Sequence, residues 1–187
     1  MLYPQDEKVK YYLGSVLSAV GNYRGLNSNA AGEYKSADIL DGLFYEFDKD
    51  DHRIPGKTDE YFFHDQKTVF DNLNNQYFSY SGPTSMGKSF VIQIYIKQQV
   101  ESGDKRNFAI LVPTKALINE VRSNLFDSLK DTLNEKNYRI VSAAGEIYLQ
   151  QEHHFIFIMT PERLHHLLIE RPEIQIDFMF IDEAHKI

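Results

Sequence analysis

The sequence predicts an α/β fold in which helices cover both faces of a parallel sheet, with a small helical region in front of it. Three observations support this prediction. Apolar strands alternate with amphipathic helices after Asp65, a glycine-rich loop precedes a helix at Lys88, and the last apolar strand ends in Asp182 and Glu183. Because ligands bind beyond the carboxyl ends of the strands in such sheets, the loop and the carboxylates are expected to share one site.

The bulk composition limits the possible functions. The 187 residues allow one domain with its own core plus an appendage, and they contain no cysteine, which excludes disulfides, thiolate metal sites and a cysteine nucleophile. We find neither a signal peptide nor an apolar run long enough to span a membrane, so we expect a cytoplasmic protein without membrane contact. The net charge of −7 predicts that any nucleic-acid contact is local rather than a bulk charge effect.

Residues 1–60 are predicted to form a helical accessory region with two helices. The first has apolar residues at helical spacing, and the second, capped by Ser36, is expected to bury a similar face. The segment from Asn22 to Tyr34 is rich in Asn, Gly, Ser and Ala, and it predicts a loop. The two apolar faces consist of Val9, Leu13, Val16, Leu17 and Val20, and of Ile39, Leu40, Leu43, Phe44 and Phe47.

Residues 61–187 are predicted to form the sheet-containing domain. A short helix with Val69, Phe70 and Leu73 precedes a series of alternating elements. The predicted strands are Tyr77–Ser81, Phe108–Val112, Tyr138–Ser142, Phe155–Met159 and Phe178–Ile181, and the predicted helices are Lys88–Val100, Lys115–Leu133 and Pro161–Ile169.

The segment from Gly82 to Ser89 matches the phosphate-loop pattern G-x-x-x-x-G-K-[ST] without a mismatch. Glycines allow such a loop to wrap a phosphate closely, with backbone N–H groups and the following helix N-terminus directed at the anion. We therefore expect Lys88 to contact the outer phosphates of ATP and Ser89 to ligate Mg²⁺. A chance match in a glycine-containing turn is the alternative.

The carboxylates at the end of the last strand predict a second part of the same site. Asp182 is placed to hold Mg²⁺, and Glu183 is placed to orient and deprotonate the attacking water. Two neighbouring carboxylates with different tasks suit phosphoryl transfer, in which positioning and charge neutralisation dominate. Without the upstream loop, an acidic turn after a core strand would explain them equally well.

These motifs resemble those of superfamily 2 helicases with a DEAH-type box. The loop Pro83-Thr84-Ser85-Met86-Gly87-Lys88-Ser89 is similar to their A-P-T-x-x-G-K-[ST] loop, and Asp182-Glu183-Ala184-His185 has the letters of the box. The resemblance covers roughly Phe62 to His185. It implies a three-layer RecA-like P-loop domain, the first of two, in which Thr84, Ser85, Met86 and Gly87 also bind nucleotide and His185 couples ATP state to nucleic-acid contact.

The resemblance extends to the nucleic-acid track and to the base of ATP. Val112-Pro113-Thr114 and Thr160-Pro161-Glu162-Arg163 look like the family's motifs Ia and Ib, which hold the sugar–phosphate backbone of DNA or RNA. A Thr hydroxyl with free first-turn N–H groups binds a phosphate without net positive charge, although helix capping alone also explains a threonine there. Gln66 stands where relatives have a glutamine that contacts adenine; the alternative is a surface residue at a helix start.

The leading functional hypothesis is an ATP-driven nucleic-acid helicase or translocase. The sequence stops after the box, so we expect that a second RecA-like domain is missing and that these residues bind nucleotide but barely hydrolyse it. Two alternatives remain: a duplex-DNA-translocating ATPase subunit of a restriction or defence complex, and a nucleotide-dependent nucleic-acid binding module without turnover. A small-molecule kinase would not explain the carboxylate box. The helical region at the N-terminus is a possible contact for a protein partner.

Overall fold

The computed structural model describes residues 7–27, 39–82, 87–103, 106–143 and 153–184. The chain divides into two compact units, Met1–Lys88 and Ser89–Ile187. Within the described residues, no helix is long and apolar enough to cross a membrane.

The first unit is helical. Its elements are α1 (Glu7–Ala19), α2 (Tyr23–Asn27), α3 (Ile39–Asp51) and α4 (His64–Asn72). The predicted loop after Asn22 was wrong over its first residues, because they form α2. The Asn22 side chain stabilises this helix by accepting a hydrogen bond from the Gly25 backbone N–H at 2.9 Å, as an N-cap residue does. Residues 28–38, including the proposed cap Ser36, lie outside the described part of the chain.

Aromatic residues form the small core of the first unit. Tyr23 is fully buried, packs with Leu26 and Tyr61, and has the His52 ring at a centroid distance of 5.4 Å. Its hydroxyl donates a hydrogen bond to the Asp48 carboxylate. Burial, together with this carboxylate, raises the pKa of Tyr23 above its ordinary value, because both disfavour the phenolate. The buried hydroxyl therefore ties α2 to α3.

The expected burial of the α3 apolar face was wrong. Although the helix forms where predicted, it has no buried residue. The spacing of apolar residues predicts a helix with two different faces, but it does not require another element to cover the apolar one. We refer to these five side chains as the α3 stripe; they are 51–84% exposed and consist of Ile39, Leu40, Leu43, Phe44 and Phe47.

The predicted strand Tyr77–Ser81 is also wrong, since these residues have no strand conformation. Tyr77 is 87% exposed, and the rings of Phe78 and Tyr80 stack on each other at a centroid distance of 5.6 Å. Aromatic residues favour strands because they pack well on a pleated surface. Here Phe78 and Tyr80 pack against each other, and residues 77–81 form no β-ladder with another strand.

The second unit contains the predicted parallel sheet. Its strands are β1 (Phe108–Leu111), β2 (Tyr138–Val141), β3 (His154–Met159) and β4 (Phe178–Ile181), in the spatial order β2-β3-β1-β4. All three pairings are parallel. The helices of this unit are α5 (Lys88–Ser102), of which Lys88 alone belongs to the first unit, α6 (Lys115–Glu135) and α7 (Pro161–Glu170). The three-layer α/β prediction is confirmed, including every strand and helix predicted after Lys88.

Each face of the sheet has its own apolar core. On one face, α5 and α6 bury side chains such as Ile96 and Leu125 against Phe108 and Ile156 of the strands. On the other face, α7 contributes Leu164 and Leu167. This division follows from the strand pleat, since alternate residues point to opposite faces. The strands are therefore fixed in register, and their carboxyl ends form one edge.

Candidate functional site

At the carboxyl edge of the sheet, a polar residue follows the end of each described strand. Thr114 lies just beyond β1, Ser142 follows β2, Thr160 follows β3, and Asp182 follows β4. In parallel sheets this edge is where ligands bind. The sequence predicted three of these four residues as functional and did not single out Ser142.

The N-terminus of α5 lies at the same edge. The chain leaves α5 at Ser102 and enters β1 at Phe108, so the last turn of α5 is at the amino edge and its first turn is at the carboxyl edge. Tyr95 holds the helix over β4, with ring centroids 5.4 Å from Phe178. Ser89, in the first turn, is exposed. The positive end of the helix therefore lies at the edge at which Asp182 stands.

The phosphate loop is described at both of its ends. Gly87 has φ of 69°, a backbone conformation that residues with a side chain rarely adopt, which explains the need for glycine before Lys88. The Lys88 ammonium donates to the Gly82 carbonyl at 2.9 Å, so this side chain joins the two described ends of the motif. Three predicted nucleotide-binding residues, Thr84, Ser85 and Met86, lie outside the described residues.

Asp182 and Glu183 form a tight turn at the end of β4. The Asp182 N–H donates to the Leu111 carbonyl at 2.9 Å and extends the ladder between β4 and β1. Its carboxylate accepts a hydrogen bond from the Glu183 N–H at 3.0 Å. Glu183 has φ of 50°, an unusual value for a residue with a side chain. His185, the last residue of the box, lies outside the described part.

The donor set at this edge fits magnesium. Mg²⁺ prefers oxygen ligands and usually takes one or two from the protein, with phosphates and water completing the octahedron. The Ser89 hydroxyl is exposed and the Asp182 carboxylate is half-buried, so both are oxygen donors with access to a ligand. The described residues contain no group of three or more His, Asp or Glu side chains placed to hold a metal by themselves.

Gln66 lines a cavity of about 520 Å³ in the first unit. Its amide oxygen accepts the Phe63 N–H at 3.1 Å, which satisfies one backbone donor at the start of α4 and fixes the amide. This bond agrees with the alternative of a surface residue at a helix start, and the adenine contact of Gln66 stays a prediction. The other walls of the cavity are Phe63, His64, Asp65, Ala19, Val20 and Asn22.

Both threonines predicted to bind nucleic acid occupy N-cap positions. The Thr114 hydroxyl caps α6 by accepting the Leu117 N–H at 3.4 Å. Thr160 precedes α7 without a side-chain cap, and its hydroxyl instead donates to Glu162, which lowers the pKa of that carboxyl. Pro113 is half-buried in the loop after β1, and Pro161 occupies the first position of α7, where no N–H is required.

Arg163 does not extend away from the protein. Its guanidinium donates to the Ser142 carbonyl at 3.2 Å. A second arginine, Arg122 of α6, donates to the Ser142 hydroxyl, also at 3.2 Å. No sequence motif identifies Arg122, because it lies in the third turn of a helix and reaches Ser142 only through the fold.

A parallel sheet with a helix N-terminus and a carboxylate pair at its carboxyl edge, in a chain whose sequence has the phosphate-loop pattern before that helix, is typical of a P-loop nucleotide-binding domain. The family model for the DEAD/DEAH box helicase matches residues 63–187, more than half of the chain, and the chain belongs to this family. A relative described as an uncharacterized helicase of Caenorhabditis elegans is 29% identical over 112 residues. The aligned segment covers 56% of this chain and 6% of that protein's length.

Proposed function

We propose that this chain is the ATP-binding half of a nucleic-acid helicase or translocase. The observation that carries the proposal is the composition of the carboxyl edge. It combines the Ser89 end of α5 and the carboxylates of Asp182 and Glu183 with two threonines, Thr114 and Thr160, that begin helices. The α5 N-terminus and the two carboxylates suit a nucleotide with its metal ion, and the two threonines suit the phosphodiester backbone of a nucleic acid.

Each residue has a separate task in the proposed hydrolysis. Bound Mg·ATP supplies the phosphoryl group that is transferred to water. Lys88 would bind phosphate oxygens through its ammonium charge, while Ser89 and Asp182 would hold the metal. Glu183 orients the attacking water and accepts its proton on the carboxylate. His185 couples the nucleotide state to the nucleic-acid contacts.

The cavity beside Gln66 is the proposed base site. A cavity of about 520 Å³ is within the range that small ligands occupy. The Gln66 oxygen is fixed by the Phe63 N–H, which orients the amide. A carbonyl oxygen has two lone pairs and the amide nitrogen has two N–H groups, so the same side chain also bonds a donor and an acceptor on adenine.

The proposed nucleic-acid track follows the ends of β1 and β3. It consists of Pro113, Thr114, Thr160, Pro161 and Arg163, and it accepts either DNA or RNA through backbone contacts. The acidic composition favours this arrangement over a broad basic surface.

The finer parts of the proposal concern the subtype and the partners. We assign the protein to the DEAH-box subtype and to the cytoplasm. Full turnover requires a second RecA-like domain, from the same polypeptide or another, that supplies positive charge to the transition state. The helical region that carries the α3 stripe is the proposed contact for a protein partner.

Binding of a fluorescent ATP analogue with Mg²⁺ tests the nucleotide site. Lys88→Ala is expected to weaken binding at least about tenfold, since it removes a charge-assisted bond to phosphate. Lys97→Ala is the matched control, because Lys97 lies on the same helix and pairs with Glu101 at 3.7 Å. Equal binding by the two variants would show that the loop does not hold the nucleotide.

Glu183→Gln separates a motor from a binding module. The substitution keeps the size of the side chain and removes the base, so ATP-driven strand displacement or translocation by the intact protein should cease while nucleotide binding continues. If the activity of the intact protein survives Glu183→Gln, the binding module without turnover is the correct alternative. Triplex displacement without strand displacement would favour the duplex translocase.

A further inference from the structure

The α3 stripe is an apolar surface on a helix that has no buried residue. Its five large side chains lie next to one another and are 51–84% exposed. Because a single large side chain has up to about 200 Å² of surface, the stripe exposes several hundred Å² of contiguous apolar area. Apolar patches of this size on a folded protein are often interaction sites, whereas apolar residues that are exposed singly need no partner.

The spacing of the α3 stripe matches the surface of a second helix. From Ile39, the five residues occupy positions i, i+1, i+4, i+5 and i+8, which form two neighbouring ridges of the i, i+4 type. Such ridges pack into the grooves between the ridges of another helix. α3 has 13 residues and is therefore about 20 Å long. A partner helix of four turns would cover the whole stripe.

Acidic side chains border the α3 stripe. With 100° between successive helical residues, Glu46 projects just beyond one side of the stripe and Asp48 beyond the other. Asp50 and Asp51 follow the stripe at its C-terminal end. The side chains of Asp48, Asp50 and Asp51 are 54–66% exposed. A partner that covers the stripe therefore meets negative charge at its edges.

The cations near α3 do not reverse this charge. Lys49, the lysine of this helix, lies on the side opposite the stripe, with its ammonium 5.6 Å and 5.8 Å from the ring centroids of Tyr45 and Tyr61. Arg53 and Lys67 each pair with one carboxylate of α3, at 2.6 Å and 3.0 Å. The helix has five carboxylates, so its surface remains acidic after these contacts.

The acidic border decides between three kinds of occupant. A second copy of the chain would bring two acidic borders together, and like charges across an interface disfavour pairing. Helices that lie on membranes carry Lys and Arg on their polar face, which α3 does not. We propose that the α3 stripe binds an amphipathic helix of a separate protein, whose apolar face is flanked by lysine or arginine. This inference rests on the proposed contact for a protein partner and names the chemistry of that partner.

Two labelled synthetic peptides test the inference by fluorescence anisotropy. Each is about 18 residues long, enough to form a helix, and has leucine at helical spacing. One has lysine beside the leucines and the other has glutamate. The lysine peptide is expected to bind this chain at least about tenfold more tightly, because its charges are opposite to those of the border. Equal affinities, or no binding of either peptide, would overturn the inference.

Matched variants separate the stripe from the overall negative charge of the protein. Phe44→Gln, at a residue that is 72% exposed, should weaken binding of the lysine peptide about tenfold through lost apolar contact. Ile169→Gln makes a similar change on α7, at a residue that is 67% exposed, and should leave the affinity unchanged. If both variants behave alike, the peptide does not bind at the stripe and the inference is wrong.

Reversal of one border charge tests the selectivity directly. Glu46→Lys should weaken binding of the lysine peptide and strengthen binding of the glutamate peptide, since it places a cation beside the stripe. Glu120→Lys, on the exposed side of α6, makes the same charge change in the second unit and should alter neither affinity by more than about twofold. The same shift in both variants would mean that net charge, and not the border, selects the peptide.

The other occupants have measurements of their own. If sedimentation velocity shows that the chain dimerises and that Phe44→Gln makes it monomeric, a second copy is the occupant and the inference is wrong. Binding to phosphatidylglycerol vesicles that is lost in Phe44→Gln would contradict it as well. The intact polypeptide should bind the lysine peptide as tightly as this chain does. Loss of binding there would mean that another part of the same polypeptide covers the stripe, which also overturns the inference.

The nucleotide site provides an independent readout. The ATP analogue should bind equally to the unaltered chain and to Phe44→Gln, because α3 contributes no residue to the proposed nucleotide site. Binding of the analogue without selective binding of the lysine peptide would overturn the inference and leave the helicase proposal intact. Selective binding of the peptide without binding of the analogue would support the inference and count against the proposed nucleotide site.

Discussion

At the scale of single residues, Glu183 combines a proposed chemical role with an unfavourable backbone. Its φ of 50° lies in the left-handed region, which costs a residue with a Cβ roughly 1–2 kcal/mol relative to glycine. Asn137, at φ of 62° just beyond α6, is the other such residue among those described, and asparagine tolerates this conformation. Strain at a proposed water-positioning residue is typical of functional sites.

We expect Glu183→Gly to have a higher free energy of unfolding than Glu183→Ala by about 1 kcal/mol, because only glycine adopts a positive φ without cost. At Glu120, an exposed helical position of α6, the order should reverse and alanine should be more stable by about the same amount. Urea unfolding of the four variants measures both differences. An alanine variant at 183 as stable as the glycine variant would contradict the observed backbone conformation.

Tyr23 makes the stability of the first unit sensitive to alkali. Burial and Asp48 raise its pKa above the unfolded value of about 10, so its contribution to stability is complete below pH 10 and is lost as the pH rises further. Tyr23→Phe should cost about 1 kcal/mol at neutral pH through the lost hydrogen bond, with a smaller difference above pH 10. Unfolding curves at several pH values test this. The control is Tyr77→Phe, at a residue that is 87% exposed, and it should change neither the stability at neutral pH nor its dependence on pH.

At the scale of elements, α6 shows how a helix stabilises one side of the sheet. Leu125 is fully buried in the core beneath the sheet, and its neighbour Phe126 is 52% exposed. Leu125→Ala is expected to lower the free energy of unfolding by about 3 kcal/mol through the cavity it leaves, whereas Phe126→Ala should cost less than about 1 kcal/mol. Similar losses for the two variants, measured by urea unfolding, would mean that the helix face is assigned incorrectly.

The elements differ in how far the sequence determines them. The strands and helices after Lys88 were predictable because two kinds of signal agree. Apolar runs and helical spacing identify the elements, and the residues Pro113, Thr114, Thr160 and Pro161 mark where two of the helices begin. The prediction of a strand at Tyr77–Ser81 was wrong because aromatic residues indicate a preference for strand conformation but do not show that another strand is available to pair with. The prediction that α3 buries its apolar face was wrong for a similar reason. The spacing of apolar residues identifies the apolar side of a helix, but it does not show which element, if any, covers that side.

The candidate site shows the same limit. Lys88, Ser89, Asp182 and Glu183 are recognisable because their chemistry requires fixed local spacing. Arg122 and Ser142 are separated by 20 positions and meet through a hydrogen bond between a helix and a strand end. No local pattern encodes such a meeting, so it becomes visible only when the register of the sheet is known.

At the scale of the whole molecule, net charge limits how the proposed nucleic-acid binding can occur. With a charge of −7, the chain is expected to contact few phosphates, through the exposed Lys115 and Arg163 at the carboxyl edge. Two contacts to a single strand predict a slope of about −1.4 for log K against log salt concentration. Fluorescence anisotropy over a potassium glutamate series measures this slope with little competition from the anion. A slope of about −5 or steeper would indicate a broad basic surface instead.

The α3 stripe has a practical consequence for experiments on this protein. Its five apolar side chains are 51–84% exposed in the folded chain. Environment-sensitive dyes such as ANS fluoresce on exposed apolar surface and are commonly taken to report partly folded states. Here the native protein itself should be bright with such a dye, and unfolding in urea should dim it, so a positive dye signal in a purified sample will not mean that the protein is misfolded.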